Sequence, residues 1–76
     1  MNTITIDRAL IQEAKNGKHY VEFKVAEAPA KDDVLTYERK GLYAGKHENW
    51  IVIGLGQEFT DSFDEEVVRA YIEFQK

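Results

Sequence analysis

Apolar positions recur at two spacings along this chain, every second residue in its middle and every third or fourth toward its ends, and the alternation divides it into five elements. Ile6, Leu10 and Ala14, with Ile11 beside them, follow a helical period, and Asp7, Arg8, Gln12 and Lys15 fill the polar positions between. Gly17 after Asn16 is a suitable stop, because a left-handed residue costs glycine nothing. The spacing predicts a helix from about Thr5 to Asn16. In a second reading, Thr3 to Ile6 alternates as a strand and Asp7 caps a shorter helix stapled by Ile6 and Ile11. Both readings keep a helix.

His19 to Glu27 alternates, with Val21, Phe23 and Val25 on one face and Tyr20, Glu22 and Lys24 on the other, which predicts a strand. Ala28 to Asp33 ends it, since Pro29 cannot donate to a ladder and the charges that follow favour solvent. Val34 to Ala44 reads as a strand bulged at Gly41, with a short helix capped by Asp33 as the competing reading. A polar turn over Gly45 to Asn49 then joins it, as a hairpin, to the apolar run Trp50 to Leu55.

The chain beyond Gly56 changes period. Ser62 and Glu65 match a capping box, and Phe63, Val67, Ala70, Tyr71 and Phe74 trace one helical stripe, with Val68 and Ile72 as an extra row. The fold expected is α+β, a three-stranded antiparallel meander with an N-terminal and a C-terminal helix on one face (α-β-β-β-α), in a single domain over residues 1–76. Two helices cover one face of such a sheet. The other would be left with Tyr20, Tyr43, Trp50 and Val52.

Length limits what this fold can hide. A chain of 76 residues buries only about 60% of the surface its unfolded form exposes. With no cysteine, disulfides and thiolate metal sites are excluded. No apolar run has the roughly 18 residues of a membrane span and no signal segment opens the chain, so a cytoplasmic protein without membrane association is expected. Ten Lys and Arg against fourteen Asp and Glu leave a net charge of −4. Glu58, Asp61, Asp64, Glu65, Glu66 and Glu73 against Arg69 and Lys76 account for all of it, and this charge disfavours direct contact with nucleic acid.

The predicted element order resembles that of double-stranded-RNA-binding domains, which need cations where the second helix begins. That position reads Asp61, Ser62, Phe63, Asp64, Glu65, Glu66, so the charge is inverted. Gly54 and Gly56 lack the third glycine and the uncharged helix start of a dinucleotide loop. His19 and His47 have no evident nucleophile to serve, since Ser62, the sole serine, reads as a cap. The acids lack the ligand alternation of a calcium loop, so no metal, cofactor or catalytic role is expected.

The acidic run itself has two readings. Carboxylates at a helix N-terminus stabilise it by about 0.3 to 1 kcal/mol each and need no further role. Alternatively, Glu58, Asp61, Asp64, Glu65 and Glu66, with Tyr20, Tyr43 and Trp50, present an acidic and aromatic surface to a basic protein partner, including one that itself binds nucleic acid. In size and charge the chain is similar to small phage and mobile-element inhibitors such as anti-CRISPR proteins and nucleic-acid mimics, without a shared motif. The expected function is therefore a non-enzymatic acidic interaction module, an inhibitor or regulator. The alternative is a homodimer or larger assembly built on the uncovered sheet face.

Overall fold

The computed structural model describes residues 2–39, 41–43 and 45–75. They form one mixed six-stranded sheet: β1 (Thr3–Thr5), β2 (Gln12–Glu13), β3 (His19–Lys24), β4 (Val34–Glu38), β5 (His47–Thr60) and β6 (Glu66–Gln75). The spatial order is β1-β4-β5-β6-β3-β2. Only β1 and β4 run parallel; every other pair is antiparallel. Among the described residues the helical content is three 3₁₀ turns of three residues each, Arg8–Leu10, Val25–Glu27 and Gly41–Tyr43.

The α-β-β-β-α expectation is thus corrected at both ends. Residues 66–75 form a strand because Val68, Ala70, Ile72 and Phe74 alternate onto one face while Val67 and Tyr71 take the other, and β-branched and aromatic side chains suit a pleated surface. The positions that gave a helical stripe also satisfy a period of two. Among the described residues Ser62 caps nothing, and the carboxylate of Asp61 accepts from the turn amides instead. At the N-terminus the second reading comes closer: Thr3–Thr5 is a strand and Asp7 caps a short turn, its Oδ1 accepting from Ala9 N–H at 3.0 Å. That turn is 3₁₀ and one turn long.

The middle of the chain differs in extent. β3 stops at Lys24, and Val25 enters a 3₁₀ turn. β4 stops at Glu38, so the bulged continuation is a 3₁₀ turn over Gly41–Tyr43, with Ala44 outside the described residues. β5 starts earlier and runs further than the apolar run suggests, from His47 through Gly54 and Gly56 to Thr60. The register against β6 shifts between Val52 and Gly54 and again between Leu55 and Glu58, and such bulges let a long strand bend.

β1 and β2 lie at opposite edges of the sheet, yet residues 6–11 alone connect them. A flat sheet would put these strands about 24 Å apart. Six linking residues, three of them in a 3₁₀ turn, reach only about 20 Å. The sheet therefore curls, and the curl encloses the core. Val21, Leu35, Val52, Ala70 and Ile72 meet on the enclosed face, with Ile4, Ile6, Ile11, Phe23 and Trp50 packed around them. Register accounts for this set, since Leu35 opposes both Ile4 and Trp50, Val52 opposes Ile72, and Ala70 opposes Val21.

Candidate functional site

The two longest strands, β5 and β6, form a hairpin whose tip carries the acidic run. Asp61 organises it. Its N–H donates to the Glu65 carbonyl at 2.9 Å, and its Oδ1 accepts from the N–H groups of Phe63 and Glu65, both at 2.9 Å. Asp64 takes the left-handed conformation at φ 63°, which a short polar side chain tolerates, and its N–H reaches the Asp61 carbonyl at 3.2 Å. The sequence closes the hairpin this way because one aspartate supplies the acceptor for two turn amides and another accepts the reversed backbone.

Between them Phe63 projects into solvent with 83% of its surface exposed. Expected as a core residue of a helix, it caps the turn instead. Glu65 forms an exposed ion pair with Lys24 at 3.5 Å. Glu58, Asp64 and Glu66 have no ion pair among the described residues. Glu58 opposes Val68 and Glu66 opposes Thr60, so alternation puts both glutamates on one face of the hairpin. The helix dipole offered as a sufficient reason for these acids has no counterpart here, since this end of the chain is strand and turn. Turn formation accounts for Asp61 and Asp64, and Lys24 for Glu65.

The five acids of the predicted surface are therefore brought together, but the aromatics are elsewhere. Trp50 packs on the enclosed face between His19, at 5.1 Å between ring centroids, and Phe74, at 5.3 Å and edge-on. Tyr20 lies on the opposite face, buried, with the Arg69 guanidinium 4.5 Å over its ring and its hydroxyl donating to Gln12 Oε1 at 3.2 Å. The Tyr43 side chain lies outside the described residues. The uncovered face holding Tyr20 and Trp50 together does not exist, because the sheet closes over one of them and Arg69 covers the other.

Sequence reasoning also passed over a cleft of about 870 Å³ beside β4 and β5, lined by residues 5–9 together with Tyr37, Glu38, Arg39, Glu48 and Trp50. No local pattern marked it, since Arg8 filled an expected polar position of the N-terminal period. His19 Nε2 stands 3.7 Å from Glu13 Oε2 in addition to its contact with Trp50, and His47 is exposed on β5. Among the described residues no three His, Asp or Glu side chains converge as metal ligands would, and no helix is long and apolar enough to cross a membrane. No protein-family model, curated protein or solved structure matches the chain.

Proposed function

We propose that this chain is a protein-interaction module that docks through the β5–β6 hairpin tip onto a partner with a basic surface. The observation that carries this reading is Phe63, a large apolar side chain exposed at the end of a hairpin whose nearby Glu58, Asp64 and Glu66 have no ion pair within the described chain. An aromatic anchor ringed by carboxylates suits an apolar recess bordered by Lys and Arg, the ring supplying affinity and the charges supplying orientation and rate of encounter. Surfaces built to hold nucleic acid have that chemistry, and a protein docked there would exclude phosphates. Capture from a cell extract by the immobilised native chain, compared with Phe63→Ala and with the triple variant Glu58→Lys, Asp64→Asn, Glu66→Lys, tests it. The expected result is a protein retained by the native chain and lost from both variants. Retention by both variants contradicts the reading.

A second reading is favoured by one observation. On its side away from β6, β5 pairs with β4 only as far as Ile51, and backbone bonds from Asp32 and Asp33 extend this to Val52. From Ile53 to Thr60 that edge has no neighbouring strand among the described residues, and it exposes Leu55 and Phe59. Edge pairing with a second copy would cover it. Light scattering over a concentration series decides, because self-pairing through β5 predicts a mass that doubles with concentration.

A further inference from the structure

The cleft beside β4 and β5 stands at the His47 end of β5, the end away from the hairpin tip, and its polar groups are not those of the tip. Three carboxylates border it, and all are engaged. Asp7 Oδ1 accepts from Ala9 N–H, Glu38 Oε1 accepts from Gly45 N–H, and Glu48 Oε1 pairs with Arg39 Nε, each at 3.0 Å. Arg8 differs: it has no carboxylate partner among the described residues, and its guanidinium carbon lies 6.0 Å from the centre of the Tyr37 ring. Tyr37, only 4% exposed, uses its hydroxyl oxygen to accept from Trp50 Nε1 at 3.4 Å, and among the described residues nothing accepts its own proton.

A guanidinium without a counter-ion and a phenol with an unused proton thus line one cleft, beside the apolar surfaces of Ile6, Ala9 and Trp50. A hydroxyl on a buried residue whose proton has no acceptor is uncommon, and with the exposed Arg8 guanidinium beside it the pair suits a carboxylate. We infer that this cleft binds a small planar carboxylate, its anion held by Arg8 and the Tyr37 hydroxyl and its ring against Trp50. One cation with one neutral donor matches a single negative charge better than a phosphate dianion, which the Asp7, Glu38 and Glu48 carboxylates would repel.

Trp50 is the only tryptophan, so its fluorescence reports occupancy of the cleft directly. Titration of the full chain with benzoate is expected to change that emission saturably. Benzamide, the same shape without the charge, should bind at least about tenfold more weakly, and inorganic phosphate should give no saturable change. Arg8→Gln and Tyr37→Phe should each weaken benzoate about tenfold, while far-ultraviolet dichroism shows both variants folded. Should Tyr37→Phe fail to fold, Arg8→Gln carries the test alone, because Arg8 is exposed and outside the core. Equal responses to benzoate and benzamide, saturation by phosphate, or an unchanged affinity in Arg8→Gln each overturn the inference.

Discussion

Asp33 shows how much one side chain fixes in a chain without disulfides. Buried at the start of β4, its carboxylate accepts from Ala30 N–H at 2.9 Å and from Asn2 N–H at 3.0 Å, joining the loop before β4 to the residue before β1. These two amides, Ala30 first, and the positive N-terminus hold its carboxyl below the ordinary 3.8, against the opposing effect of burial. Because the folded value is the lower one, the stabilisation is full above pH 3.8 and is lost as pH falls through that folded value. Urea midpoints measured down the acid range should therefore separate Asp33→Ala from the native chain at neutral pH and converge at the acid end. A constant separation at every pH would show that the charge is not what matters. Gly56 acts through space: a Cβ there would stand 3.1 Å from Tyr71 Cε2. Gly56→Ala is expected to cost about 1 kcal/mol by urea unfolding, with the Tyr71 ring displaced. Sequence marked Gly56 as a break; the ring packed over it depends on a register no local pattern reveals.

At the scale of elements, the hairpin that carries the proposed interface should open locally without unfolding the sheet. Asp61→Ala removes the acceptor for Phe63 and Glu65 N–H, and water can replace it at this exposed turn. Amide exchange measured by NMR is expected to rise at Phe63 and Glu65 and to stay unchanged at Val21 and Ile72, which lie in the core. Faster exchange throughout would mean that the turn closes the whole fold. The same hairpin shows where the sequence was ambiguous. From Val67 to Phe74 nearly every residue is apolar, so a helical stripe and a strand alternation both fit, and Ser62 with Glu65 favoured the helix. Val67, Val68, Tyr71 and Ile72 carry the opposite propensity, which prevails because β3 and β5 offer ladders on both sides. The strand around Val21 was legible because its alternation admitted one reading, and the apolar run around Val52 was legible as a strand too. The stretch holding Leu35 also admitted a short helix, and the ladder with β5 decides it. The acidic run was legible as a cluster too. The separation of Trp50 from Tyr20 was not, since it follows from register: Tyr20 opposes Tyr71 and Trp50 opposes Phe74, which face opposite sides of β6.

Across the whole molecule, stability rests on a core of few residues enclosed by that curl. Leu35 and Val52 are fully buried, and truncation of Leu35 to Ala is expected to cost about 2 to 5 kcal/mol. Small domains hold about 5 to 15 kcal/mol in total, and this chain is at the short end. Thermal melting by circular dichroism should show Leu35→Ala largely unfolded or with a sharply lowered midpoint, while Phe63→Ala melts like the native chain because its ring contributes nothing to the core. That contrast matters for function, since it separates a residue spent on folding from one available to a partner.

The claim on which the account depends is that the hairpin tip binds through charge and one aromatic ring together. Its most direct measurement is the affinity of the captured partner for the native chain, for Phe63→Ala and for the triple variant at Glu58, Asp64 and Glu66, each followed as salt concentration rises. Native binding should weaken with salt, Phe63→Ala should be weaker at every concentration but with the same salt slope, and the triple variant should keep a residual binding nearly independent of salt. Three superimposable curves would contradict it.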